Sequence, residues 1–199
     1  RCWKKKYNKP TSLKLEYGAH VLRARTGNYF GVSPFEKAFT LYMLPNCFVK
    51  AAKANLADIK FDLIITHTPF VSSYKIMKPL LNLFKCPAHL LLWDIFPQNA
   101  RDLGIIKSNI LYKILKKSEH KMLRLYDKIW CMSNGNVTYV KEHYPFVKSV
   151  DLLYNSAKVT AIPSFDRLDV RKRYNIAADE VVAIFGGNLG VPQCLKNIL

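Results

Sequence analysis

Residues 88–103 read AHLLLWDIFPQNARDL, and the reading of that stretch decides the fold. Ala88, Leu90, Leu91, Leu92 and Trp93 form an apolar run that ends on one carboxylate, Asp94. A continuous run of this length, bounded by a breaker, predicts a strand buried on both faces of a parallel sheet. Asp94 then stands at the strand's C-terminal end, the edge at which open α/β sheets bind ligands. Pro97 cannot extend a central strand and restricts the residue before it, so the chain turns there. Asp94 is equally compatible with capping the turn or helix that follows.

Similar runs lie on either side. FDLIITHTP, Phe61 to Pro69, reads as a second buried strand ending on His67. That histidine could act as an acid/base or hydrogen-bond a substrate, although a lone histidine is more often a structural hydrogen-bonder. KIWCMS, Lys128 to Ser133, reads as a third strand, and VDLLYN, Val150 to Asn155, as a fourth. Between them lie helical patterns at Ser72 to Phe84, interrupted near Pro79, and at Asn134 to His143, capped by Ser133 or Asn134. Ser33-Pro34-Phe35-Glu36 is a helix start, with serine as cap, proline at the first helical position and glutamate at the third. That helix is expected to run to Ala57, with a kink at Pro45. Leu15, Tyr17, Ala19 and Val21 alternate, which predicts one short strand from about Lys14 to Arg25. Strand and helix alternate throughout, the signature of a right-handed doubly wound parallel sheet with helices on both faces.

Lys107 to Lys128 is the longest helical pattern. Leu111, Leu115, Ser118, Met122 and Leu125 form one stripe, and Ile106, Ile110 and Ile114 an adjoining apolar edge. Lys113, Lys116, Lys117, Lys121 and Arg124 cover the rest. Such a helix either lies on an anionic membrane surface or faces the core with a solvated basic side. The chain as a whole is basic, with 31 Lys and Arg against 14 Asp and Glu and a formal charge of +17. That excess favours a polyanionic partner without choosing among nucleic acid, anionic lipid and phosphorylated substrates. Apolar content of 50% excludes global disorder. The Lys4–Lys6 run is either a phosphate contact or a solvated flank. The cysteines, at 2, 47, 86, 131 and 194, include no CxxC pair and no metal-ligand spacing with histidine. They read as reduced thiols. No apolar run reaches the roughly 18–20 residues needed to span a bilayer.

From Ser156 the texture changes to a connector, then a short charged helix from Phe165 to Tyr174. VVAIFGGNLG, Val181 to Gly190, begins again as a buried strand running into a glycine-rich turn, with a new helix start after Pro192. Backbone amides of such a turn can cradle phosphate, and a plain tight turn is the simpler alternative. The expected organisation is a Rossmann-like domain over residues 1–155, a connector over 156–180 and the start of a second Rossmann-like domain over 181–199.

The ordered set FDLIITHTP, LLLWDIFPQNARDLGII, the basic helix leading into DKIWCMSNGN, and VVAIFGGNLGVPQCLKNIL resembles the sugar-nucleotide-dependent glycosyltransferases of family 4, which have the GT-B fold. The pattern is most similar to bacterial enzymes of capsule, exopolysaccharide and O-antigen assembly, over roughly Val21 to Leu199. The resemblance implies retaining transfer, without a metal or other cofactor, from a nucleotide-diphosphate sugar to a polyprenyl-diphosphate-linked saccharide. It puts Asp94 and His67 at the reaction cleft as catalytic candidates. It puts Gly186, Gly187, Asn188 and Gly190 beside the donor diphosphate. It puts the basic helix against the membrane that holds the acceptor, on its cytoplasmic face. The family's acidic donor motif and Arg/Lys pair are absent, Asn155-Ser156 stands where relatives often have Asn-Gly, and a first strand with its glycine-rich loop is missing. The resemblance therefore implies a piece of such an enzyme that is inactive by itself. A basic nucleic-acid- or phosphate-binding module explains the charge equally well, but no RRM, KH, zinc or helix-turn-helix signature supports nucleic acid. A GT-B-fold nucleotide-sugar epimerase is the third reading.

Overall fold

The computed structural model describes residues 9–29, 31–67, 73–161, 164–187, 190 and 193–195. The chain divides into two compact units, Arg1–Tyr154 and Asn155–Leu199.

In the first unit, strands β1 (Thr11–Glu16) and β2 (Ala19–Ala24) pair antiparallel, with Leu13 opposite Leu22. The alternation that predicts one strand over 14–25 is therefore folded back on itself. Tyr17 and Gly18 take φ of 51° and 82°. Positive φ at both central residues makes the two-residue turn whose twist suits a hairpin. Helix α1 (Pro34–Leu56) follows, with Ser33 Oγ accepting the Glu36 amide at 3.2 Å. It runs continuously through Pro45.

Four strands then form an all-parallel sheet: β3 (Ile64–His67), β4 (Ala88–Leu92), β5 (Lys128–Cys131) and β6 (Val150–Leu152), in spatial order β3-β4-β5-β6. The intervening helices are α2 (Ser73–Phe84), α3 (Gln98–Asp102), α4 (Asn109–Leu123) and α5 (Asn134–His143). The result is a mixed α/β fold with a parallel sheet flanked by helices, as the alternation of strand and helix predicts. Ser133 caps α5 by accepting the Asn136 amide at 3.2 Å.

The core gathers on one side of the sheet. Ala88, Leu90 and Leu92 alternate inward with Ile129 and Cys131, against Met77 of α2, Met122 and Leu123 of α4, and Val140 of α5. Leu90 is 0% exposed, worth roughly 1.5–3 kcal/mol of transfer free energy. On the opposite face, His89, Leu91, Lys128 and Trp130 are half-buried, while Ile65, His67 and Asp151 are exposed. β4 is thus deeply buried on one face, where burial on both was expected. Burial of the Cys131 thiol pushes its pKa up to about 11, so it is an inert core group. Cys47, Cys86 and Cys131 form no disulfide.

The helix expected over 107–128 is shorter. Ser108 caps its start by accepting the Leu111 amide at 3.3 Å, and it ends at Leu123. The residues after it are needed to enter β5. The Asp127 amide donates to the Ala88 carbonyl at 2.8 Å, and its carboxylate accepts the Ala88 amide at 2.9 Å.

In the second unit, α6 (Arg167–Arg173) starts at Asp166, whose carboxylate accepts the Leu168 amide at 2.7 Å. The Arg171 guanidinium donates to the Ala177 and Glu180 carbonyls and so ties down the chain beyond the helix. The buried strand expected from Val181 is not formed. Residues 181–187 are exposed, Val181 at 94%, and no strand is formed among the described residues of this unit. An apolar run becomes a strand only when neighbours take its backbone hydrogen bonds, and none does among the described residues.

Candidate functional site at the carboxyl edge of the sheet

His67 is the last residue of β3 and pairs in register with Leu91 of β4. Side chains alternate along a strand, so His89, Leu91 and the following Trp93 lean toward the face that carries His67. The diagonal neighbours meet. The His67 imidazole stacks on the Trp93 indole with centroids 4.8 Å apart and planes 22° from parallel. Trp93 is 42% exposed, a large aromatic surface left open to solvent.

Asp94 follows directly and is exposed. Among the described residues its carboxylate makes no hydrogen bond or ion pair, and α3 starts from Pro97 with no side-chain cap. The capping role that the sequence left open is therefore not taken up. His67 likewise makes no side-chain hydrogen bond among the described residues. The Thr68-Pro69 end of that motif lies outside them. An exposed ring face of this kind can take the C–H face of a flat, partly apolar ligand, and a free carboxylate such as Asp94 can accept hydrogen bonds from hydroxyls. Trp93 was legible only as the end of an apolar run. Its signal was its place two residues after Leu91 and one before the strand-end carboxylate.

The basic helix separates into two parts. Lys116 is not on the solvated face where the sequence put it. Its ammonium donates to the Tyr144 hydroxyl at 2.6 Å, pairs with Glu119 Oε2 at 2.9 Å and lies 4.6 Å from the Tyr144 ring centroid. The Tyr144 hydroxyl in turn donates to Glu119 Oε1 at 2.8 Å. Glu119 is 7% exposed, and burial raises its carboxyl pKa against the lowering pull of Lys116 and Tyr144. Burial first, then Glu119, pushes the Tyr144 hydroxyl far up. Arg124 is exposed, but its guanidinium stacks 4.0 Å from the Phe146 ring centroid. The remaining cations, Lys113, Lys117 and Lys121, are exposed and form no ion pair among the described residues.

The apolar residues divide the same way. Met122 and Leu123 are buried, while Ile110 at 73%, Leu111 and Ile114 at 60% are exposed. Leu111 was expected on the inward stripe. The helix reaches the core with its C-terminal half only, so its first turns present isoleucine and leucine to solvent. Leu103 and Ile105 are exposed just before it. That lead-in is held by Arg101, which donates to the Ile106 and Lys107 carbonyls at 2.8 Å each and also to Asn109 Oδ1.

The glycine-rich stretch is less organised. Gly186 and Gly187 are exposed and neither takes a positive φ, and Asn188 lies outside the described residues. The Gly190 amide donates to Gln193 Oε1 at 3.1 Å, and its carbonyl accepts the Gln193 amide at 3.1 Å. The helix start expected after Pro192 falls outside the described residues. Among the described residues no group of three His, Cys, Asp or Glu side chains is placed to hold a metal ion. No helix among them is long and apolar enough to cross a membrane.

No protein-family model matches the chain, and no curated protein matches it significantly.

Proposed function

We propose that this chain carries the acceptor-binding half of a retaining glycosyltransferase that works on a lipid-linked saccharide at an anionic membrane face. The observation that carries the reading is the exposed His67–Trp93 stack at the carboxyl edge of a parallel sheet, with the exposed Asp94 next in the chain. Indole and imidazole offer a sugar ring a stacking surface. Asp94 then orients an acceptor hydroxyl, or takes its proton as the new bond forms. The donor is a nucleotide-diphosphate sugar, held by a second nucleotide-binding lobe through backbone amides. Catalysis rests on positioning and on stabilising the departing diphosphate. No metal or nucleic acid has a role in this scheme.

The exposed Ile110, Leu111 and Ile114 beside Lys113, Lys117 and Lys121 support a peripheral membrane contact, which the proposal places on the cytoplasmic side. Apolar side chains enter the headgroup boundary while the ammoniums meet lipid phosphate.

The test is a titration of the chain with a soluble N-acetylhexosamine-containing oligosaccharide, read by tryptophan fluorescence. Saturable quenching that Asp94→Ala weakens at least tenfold supports the reading. Quenching that is absent, or equal in wild type and variant, refutes it.

A further inference from the structure

A groove between α1 and α2 has a volume of about 640 Å³. Asn46 and Lys53 line it from α1, and Tyr74, Lys75, Lys78 and Asn82 from α2. The spacing explains the convergence. Asn46 and Lys53 are seven apart, and Lys75, Lys78 and Asn82 stand three and seven apart, so each set occupies one face of its helix.

Among the described residues no carboxylate lines the groove. Among the described residues none of Lys53, Lys75 and Lys78 has an acidic partner within 4.0 Å. The Lys75 ammonium lies 5.4 Å from the Tyr42 ring centroid, and the Lys78 ammonium 5.6 Å from that of Tyr74. These contacts orient the side chains without neutralising them. Like charges that line one groove repel one another, and Lys75 also sits in the first turn of its helix, where a cation opposes the helix dipole. A bound anion would relieve both costs.

From this we infer that the α1–α2 groove is a phosphate-binding site. Lys53, Lys75 and Lys78 supply the charge, and the Asn46 and Asn82 amides and the Tyr74 hydroxyl supply directed hydrogen bonds. The phosphate it takes belongs to a soluble phosphorylated molecule or to a phospholipid headgroup, two sources that share this chemistry. This site does not depend on the sugar-transfer reading, because none of its residues belongs to the sheet edge.

The probe is inorganic pyrophosphate, titrated calorimetrically at constant ionic strength into wild type, the variant K53A/K75A/K78A and an equal charge change elsewhere, K14A/K60A/K141A. Circular dichroism confirms that each is folded, and K53R/K75R/K78R keeps the charge should the alanine variant fail to fold. The expected result is saturable binding to wild type, weakened at least tenfold in the groove variant and less than twofold in the control. Non-saturable binding, or equal weakening in both alanine variants, overturns the site in favour of general attraction by a basic chain. Flotation with phosphatidylcholine vesicles containing phosphatidic acid identifies the source once calorimetry has shown the site. Loss of flotation in the groove variant assigns a lipid headgroup, and unchanged flotation assigns a soluble phosphate; both support the site.

Discussion

The His67 and Trp93 ring centroids lie 4.8 Å apart, stacked within 22° of parallel, one residue ending β3 and the other directly following β4. Their contact is an outward one, made beyond the core. Removing it should therefore cost little stability, at most about 1 kcal/mol for an exposed aromatic pair. Its value lies in what the ring face can hold. Trp93→Ala is expected to keep the wild-type urea midpoint closely while weakening oligosaccharide binding at least tenfold, with His67→Ala weaker in effect. A variant that unfolds early but binds normally would assign the stack to the fold and not to a ligand.

A second relationship runs the opposite way. Lys116, Glu119 and Tyr144 form a linked set, in which Tyr144 donates to Glu119 Oε1 and Lys116 pairs with the buried Oε2 by charge. Removing the cation leaves the buried Glu119 carboxylate with the Tyr144 hydroxyl alone, and Lys116→Met should cost about 3 kcal/mol. Lys113→Met, three residues earlier on the exposed side, should stay within about 0.5 kcal/mol. The pH dependence gives an independent check. Glu119 already has its pKa held above the ordinary 4.5 by burial, and loss of Lys116 raises it further. A carboxyl raised in the folded state stabilises below its unfolded value and loses that stability as pH rises toward the folded one. The deficit of Lys116→Met should therefore widen between pH 4.5 and pH 7.5 in urea titrations. A deficit independent of pH would mean that the lysine acts through packing alone.

These two clusters show what was legible in the sequence. The Ser33-Pro34 and Ser133 caps, the parallel strands and the strand-end positions of His67 and Asp94 follow from local chemistry, because breakers and caps act within a few residues. The Tyr17-Gly18 hairpin was missed because the alternation passes through the turn unbroken. Lys116 was misplaced because helical spacing shows which face a residue occupies, not that Tyr144, 28 residues on, reaches back to it. The apolar run from Val181 suggests a strand leading into the glycine-rich turn, whereas pairing depends on other strands that no local pattern reveals.

Asp127 provides a milder electrostatic test. Its carboxylate accepts from Lys148 at 2.7 Å and from the Ala88 amide at 2.9 Å, and those contacts, Lys148 first, hold its pKa below the ordinary 3.8. A depressed carboxyl contributes stability that is present above the unfolded value and lost as pH falls through the folded one. Asp127→Asn can keep the Ala88 bond but loses the charge. Both partners of the ion pair are substantially exposed, so the cost at pH 7 should be only about 1 kcal/mol. It should shrink toward zero below pH 3.8. Equal losses at both pH values would show that the amide bond, and not the charge, anchors the start of β4.

The first turns of α4 give the sharpest separation of folding from function. Ile110 and Ile114 stand one turn apart at 73% and 60% exposure, flanked by Lys113 and Lys117. Side chains that already face water contribute little to the fold, so Ile110→Glu with Ile114→Glu should leave the melting temperature within a few degrees. On an anionic bilayer the same pair would bury apolar surface worth roughly 1.5–3 kcal/mol per residue at full depth. The double variant should then lose at least tenfold in flotation with phosphatidylglycerol vesicles. Replacing Lys113, Lys117 and Lys121 by alanine should lose about 1 kcal/mol per cation, and that loss should fade as salt screens the surface. The two effects differ in salt dependence because one is hydrophobic and the other Coulombic. Flotation of the glutamate variant at the wild-type level would leave the basic face as a solvated surface and remove the membrane from the proposed function.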